Sequence, residues 1–253
     1  NIPVFQPEKV REETDEILKY NPDIIITCAY GQIIPSVLLD TPKYKAVNVH
    51  ASLLPKLRGG SPLHRCIIDG YSETGVTIMY MAPGMDDGDI ITQKSIKIED
   101  TDNVGTIHDK LSILGRDLLL ETLPSIFNGT NGRTRQDENE VTFAYNIKRE
   151  EEKLDFNEKA REVFNHIRGM YPFPVSYTTL NGEIIKICES KIGTKTSGTV
   201  GEIISIYDNG IGVKCSDTEI IITKLKPSGK KEMMARDFIN GRGKDKLLGE
   251  KLC

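Results

Sequence analysis

The chain has 253 residues, enough for two domains of ordinary size with a core in each. Hydrophobic residues make up 38% and charged residues 28%, which excludes a disordered chain, and no apolar run approaches the roughly 18 residues of a membrane-spanning helix. The formal net charge of −4 hides an asymmetry: residues 221–253 hold nine basic side chains against four acidic ones, while the rest holds 24 against 33. A basic C-terminal segment on an acidic chain fits either a polyanion contact or a solvated tail. The five cysteines (Cys28, Cys66, Cys188, Cys215 and Cys253) form no CxxC pair, a pattern of free thiols in a reducing cytoplasm. Asn1-Ile2-Pro3-Val4 reads as a strand-like opening without an initiator methionine, so the chain is expected to begin inside a larger protein.

Residues 8–20 read as a helix ended by Pro22-Asp23. The β-branched run Ile24–Ala29 predicts a strand buried on both faces, and Ala46–His50 predicts a second strand. A short helix from Pro35 to Leu39 would make the three a βαβ unit of a parallel sheet. Ser61 and Pro62 suit an N-cap and first position of a helix running to Gly70. Val76–Met81 and Ile90–Ile98 read as strands joined by the acidic turn Gly84-Met85-Asp86-Asp87-Gly88-Asp89. Ile107, Leu111, Leu114, Leu118 and Leu119 mark a long amphipathic helix over about Val104–Phe127.

The polar, aperiodic stretch 129–149 reads as a linker. It separates a domain over 1–128 from another over 150–253. The second opens on a helix near 157–169 and continues in five short strands: Val175–Leu180, Ile184–Cys188, Thr199–Ile206, Ile211–Cys215 and Glu219–Leu225. Asn181-Gly182 signals a tight hairpin between the first two. The expected class is α/β: an N-terminal Rossmann-like open sheet, incomplete at its N-terminus, followed by a C-terminal OB-like β-barrel.

Asn48 and His50 alternate along a strand, so their side chains share a face at its C-terminal end, where open α/β sheets place ligands. An amide NH₂ and an imidazole side by side can donate hydrogen bonds to an oxygen gaining negative charge. Asp86, in a glycine-flanked turn after another strand, could orient the His50 ring and accept a proton. The three suit attack of an amine on a carbonyl carbon without a metal or a covalent intermediate. An isolated N-x-H pair says almost nothing by itself and reads more readily as a buried His and Asn satisfying backbone groups.

The surroundings of the pair decide between those readings. Asn48-Val49-His50 is followed by Ser52-Leu53-Leu54-Pro55, Arg58-Gly59, Glu73-Thr74-Gly75-Val76-Thr77-Ile78 and Gly84–Asp89. In order and spacing this series resembles the folate-dependent formyltransferase family, whose members act on glycinamide ribonucleotide, sugar nucleotides or methionyl-tRNA. The resemblance covers essentially the whole chain. It implies that Asn48, His50 and Asp86 are the catalytic trio. It further implies that Ser52, Leu53, Leu54 and Pro55 contact tetrahydrofolate, and that Ala29–Pro35, with Tyr30, Gln32 and Ile34, lines the pterin pocket. Pro227-Ser228-Gly229-Lys230-Lys231 with the helix beyond Met233 resembles the C-terminal domain of the tRNA-acting branch.

The implied reaction moves the formyl group of 10-formyltetrahydrofolate to the α-amino group of methionyl initiator tRNA. Arg58, Lys226, Lys230, Lys231 and Arg236 are the expected tRNA contacts. A cytoplasmic monomer is expected, with no metal, because Asp86, Asp87 and Asp89 lack further converging oxygen ligands. The family begins with a strand, helix and strand and an acceptor-stem loop that precede the point where this chain starts. Its acidic turn differs here at Ala82-Pro83 and at Met85 and Asp87, while Asp86 and Gly88 are kept. Two other readings are a formyltransferase for a small amine such as a sugar nucleotide, and a non-catalytic RNA-binding remnant.

Overall fold

The computed structural model describes residues 2–253. Asn1, where the strand-like opening begins, lies outside the described residues, and residues 2–4 are irregular. In chain order the first half comprises α1 (Thr14–Leu18), β1 (Ile25–Cys28), α2 (Ser36–Asp40), β2 (Ala46–His50), α3 (Pro62–Ile68), β3 (Glu73–Tyr80), β4 (Ile90–Lys97) and α4 (Val104–Asn128). The second half adds α5 (Ala160–Met170), β5 (Tyr177–Leu180), β6 (Glu183–Ile192), β7 (Ile203–Tyr207), β8 (Gly210–Lys214), β9 (Glu219–Pro227), β10 (Met233–Met234), α6 (Ala235–Arg242) and α7 (Lys244–Leu247). The class is α/β, with a mixed four-stranded sheet and a separate antiparallel sheet.

The chain divides into two compact units, 1–62 with 73–97 and 109–146, and 63–72 with 98–108 and 147–253. In the first, β1 and β2 run parallel with Ile25 beside Ala46 and Cys28 beside Val49. β3 and β4 then add in antiparallel sense, so the sheet is mixed rather than wholly parallel. The tight acidic turn accounts for β4, because a short hairpin connection can only return antiparallel, whereas β3 reaches its antiparallel place beside β2 through the longer connection that contains α3. Burial on both faces falls on β3, where Thr74–Met79 are all buried, rather than on β1, whose pattern alternates and whose Ile26 is exposed. β1 is an edge of the described sheet and β3 is interior, which reverses the expectation from the isoleucine run. The single helix expected over 8–20 is broken into a 3₁₀ turn at Val10–Glu12 and α1. So charged a stretch has little apolar surface to carry a continuous helix.

α4 lies against this sheet through its middle turns. A side chain at Gly115 would bring its Cβ within 3.0 Å of Val49 Cγ1 and near Val76. Glycine there, despite its cost inside a helix, lets backbone and sheet approach closely. Residues 129–146, expected as part of a linker, hold specific partners in this unit. Thr134 exchanges backbone hydrogen bonds with Ile90 at 2.8 and 2.9 Å, and Ala144 N–H donates to the Arg58 carbonyl at 2.7 Å.

In the second unit the strand order is β5-β6-β9-β8-β7, all antiparallel, with β10 on β9. Asn181 and Gly182 both have positive φ, 52° and 81°, as a primed hairpin turn requires. The core joins Val163 and Ile167 of α5 to Leu180, Ile187, Ile203, Val213, Ile220 and Ile222 of the strands. The strands themselves form an open path, not a barrel closed by strand pairing. The C-terminal residues run along both edges instead. Gly249 and Leu252 donate to Ile203 and Gly201 carbonyls, while Cys253 and Thr179 exchange hydrogen bonds at 2.9 and 3.0 Å.

Half-buried His166 on α5 donates from Nε2 to the Glu151 carbonyl at 2.7 Å, and its Nδ1 lies 3.0 Å from Ser176 Oγ, a hydroxyl also 3.3 Å from the His166 carbonyl. Both ring nitrogens thus have polar partners. Burial pushes its imidazole below the ordinary value of 6.5, and the bond to Glu151 only partly offsets this. The unfolded chain therefore takes up this proton at higher pH than the folded one. Stability is full above about pH 6.5 and falls as pH drops toward the folded value. Unfolding titrations should show this acid-side loss diminished in His166→Gln; an unchanged pH dependence would refute it.

Candidate active site

β2 ends at His50 and carries Asn48 two residues earlier, so the pleat sends both side chains to one face. Asn48 is half-buried. Its Oδ1 accepts from Thr27 Oγ1 on the adjacent β1 at 2.9 Å. A hydroxyl donating to the amide oxygen leaves the NH₂ end of Asn48 for another acceptor. Thr27 is buried, and its hydroxyl also lies 3.3 Å from the Val47 carbonyl. The isoleucine run hides this residue's role, because Thr27 reads there as one more β-branched strand former.

His50 is buried, with 6% of its surface exposed. Nε2 lies 3.0 Å from the Leu57 carbonyl, which can only accept, so Nε2 carries a proton and donates. Nδ1 is then the working nitrogen, and it sits 3.6 Å from Asp86 Oδ2. That oxygen also accepts from Gly59 N–H at 2.9 Å. The turn that brings Asp86 here is tight. Asp86 has φ of 48°, in the left-handed region, and a Cβ at Gly88 would sit 1.9 Å from the Tyr80 carbonyl oxygen.

The loop after β2 folds over buried Thr77. Thr77 Oγ1 donates to the Ser52 carbonyl at 2.7 Å and accepts from Leu54 N–H at 3.1 Å and Gln93 Nε2 at 2.8 Å. Gln93 also donates to the Leu54 carbonyl. Ser52 is fully buried, its hydroxyl donating to the Lys56 carbonyl at 2.6 Å, and Leu54 is buried too; Leu53 and Pro55 are partly exposed. Tyr30 is exposed, and Gln32 and Ile34 are partly so. Gln32 Oε1 accepts from Val10 N–H at 2.8 Å, which ties the Ala29–Pro35 segment to the chain before α1.

Arg58 requires a correction. Its place beside the loop predicts a contact with an anionic substrate, yet it is only 4% exposed. Its Nε donates to Gln136 Oε1 at 2.9 Å and its terminal nitrogens to Glu138 at 3.0 and 3.4 Å. The buried guanidinium is committed within the chain, to buried Gln136 on one side and exposed Glu138 on the other, and does not stand free in solvent for a tRNA phosphate. Lys226, Lys230, Lys231 and Arg236 are all exposed. Lys224, counted in the same basic segment, is already paired with Glu189 and Glu232 at 3.3 and 3.2 Å. Asp89 pairs with Arg133 at 3.0 Å. The described residues contain no group of three or more His, Cys, Asp or Glu gathered as metal ligands, and no helix long and apolar enough to cross a membrane.

A strand-borne amide and imidazole facing a carboxylate on a neighbouring turn can stabilise an oxyanion and carry a proton. Residues 5–123 match the formyl transferase family and residues 146–243 match its C-terminal domain, so the fold is that of a formyltransferase. A methionyl-tRNA formyltransferase of Bacillus velezensis is 51% identical over 245 residues, covering 95% of this chain and 77% of that one. Another, from Staphylococcus aureus strain MW2, is 49% identical and covers 100% of this chain and 82% of that one. The chain belongs to the methionyl-tRNA formyltransferase family.

Two solved structures share the fold at lower identity. HypX from Aquifex aeolicus, in complex with tetrahydrofolic acid, aligns with a TM-score of 0.69 at 18% identity, over 92% of this chain and 41% of that one. The sugar 3N-formyl transferase WlaRD aligns with a TM-score of 0.63 at 22% identity, over 82% of this chain and 73% of that one.

Proposed function

We propose that the chain transfers the formyl group of 10-formyltetrahydrofolate to the α-amino group of methionyl initiator tRNA, in the cytoplasm and as a monomer. The observation that carries the reading is the grouping of Asn48, His50 and Asp86 in a chain half identical to methionyl-tRNA formyltransferases. The neutral amine attacks the formyl carbon, the C=O bond becomes a C–O⁻ bond, and the Asn48 NH₂ donates to that oxygen. Collapse of the tetrahedral species breaks the bond to N10. The proton lost by the amine passes to N10 by way of Asp86 and His50 Nδ1. Leu57 holds the ring from behind, so His50 keeps one nitrogen for this exchange.

On this reading the first unit is a Rossmann-like half. The second is an OB-like platform whose strands are supplemented by the C-terminal tail. The folate would lie along Ser52–Pro55 and the Tyr30–Ile34 segment, where Leu53, Pro55, Gln32 and Ile34 are partly exposed and Tyr30 is exposed. Lys226, Lys230, Lys231 and Arg236 would meet tRNA phosphates. Their clustering in one basic segment supports this reading over a small-amine formyltransferase, which needs no basic platform.

The test is formyl transfer by the purified protein, comparing charged initiator tRNA with amino-sugar nucleotides as acceptors. Preference for the sugar nucleotides would overturn the reading. For the platform, Lys230→Ala and Lys231→Ala should each weaken tRNA binding. Each should also flatten the dependence of log affinity on log salt by about 0.7–0.9 for every phosphate it no longer neutralises. Turnover at saturating tRNA should be unchanged. A salt slope identical to wild type would remove these lysines from the interface.

A further inference from the structure

We infer that Gln136, fixed by Arg58, is a positioning residue for Asp86. The inference rests on the proposed role of Asp86. Asp86 has a left-handed backbone, a sparsely populated conformation that Asp tolerates better than most residues with a Cβ, and hydrogen bonds from its surroundings fix it there. Gln136 does so directly. Its Nε2 donates to the Asp86 carbonyl at 2.7 Å and to the Gly88 carbonyl at 2.8 Å, so one amide group spans the turn on both sides. Which end of the Gln136 amide faces the turn is unambiguous. Arg58 Nε can only donate and the two carbonyls can only accept, so the oxygen must face Arg58.

These bonds close a ring. Gln136 holds the backbone of Asp86, and Arg58 holds Gln136. Gly59, next in the chain after Arg58, donates its N–H to the Asp86 carboxylate at 2.9 Å. The same short loop thus sets both the main chain and the side chain of Asp86. Gln136 and Arg58 are each 4% exposed, so water cannot replace a missing partner, and each unmade bond leaves a buried group unsatisfied. Gln136 bonds the main chain of the turn and not the carboxylate, so its effect on the reaction is indirect. It governs where the Asp86 carboxylate sits relative to His50 Nδ1.

Gln136→Glu separates this role from packing. The new carboxylate still accepts from Arg58, but it cannot donate to either carbonyl. Turnover should fall about 10- to 100-fold, the scale on which small misplacements of a reacting group act. KM for both substrates should stay within about 3-fold. The same substitution in an Asp86→Asn background should cost less than about 3-fold further, because a residue acting only through Asp86 has nothing left to position. Gln136→Met, equally long and without any hydrogen bond, repeats the cycle if the glutamate variant does not fold. A full, additive loss on top of an impaired Asp86→Asn would overturn the positioning role alone. Near-normal turnover in Asp86→Asn itself would overturn the role of Asp86, and with it the purpose of the clamp.

Discussion

Asn48→Ala is expected to turn over about 100- to 1000-fold more slowly than the wild-type protein, the usual cost of losing one preorganised donor to a developing oxyanion. The loss should fall on kcat, because the amide's partner gains its charge only as the amine attacks. Binding of folate and of the aminoacyl acceptor should be little changed. The fold should also survive. Asn48 is half-buried, and Thr27, which loses its bond to the amide, still has the Val47 carbonyl within reach. Single-turnover formylation with an unfolding curve measured in parallel checks both halves. A variant with normal turnover would remove Asn48 from the reaction, and an unfolded one would show that its role is structural.

The features legible in the sequence are those fixed by local pattern. Alternation places Asn48 and His50 on one face, and the glycines around Asp86 mark a tight turn. Asn181-Gly182 marks a hairpin whose two positive φ values the structure shows. What escapes is fixed by pairing between distant segments. Nothing in Ile24–Ala29 says whether the strand lies at an edge or in the interior, because that depends on which strands flank it. Gln136 lies in an aperiodic polar stretch, and its partners at positions 58, 86 and 88 lie about 50 to 80 residues earlier in the chain. Arg58 misleads for the same reason. An arginine beside an active-site loop reads as an anion contact until the burial that pairs it inward is known. The open edges of the second sheet are lined by a tail whose last residues, with no periodicity of their own, hydrogen-bond to the strands at both edges.

Asp86→Asn isolates the charge at the site from the geometry that holds it. Asparagine has nearly the same shape and is among the few residues that tolerate the left-handed region, so φ of 48° stays accessible. Gly59 N–H can still donate to the side-chain oxygen, and Gln136 grips only the main chain. Stability should therefore change little. What disappears is the carboxylate 3.6 Å from His50 Nδ1, the group that takes the proton from the attacking amine. Turnover should fall about 100- to 10,000-fold, the range spanned by positioned general acid–base groups. Activity within about 3-fold of wild type would place the proton transfer elsewhere. Combined with Asn48→Ala, the loss should be smaller than the product of the two. Asn48 and Asp86 act on the same tetrahedral species, and once it forms poorly a missing proton acceptor has less left to slow. Full multiplicativity would mean that the two residues lower the barrier independently of each other and do not act as a unit.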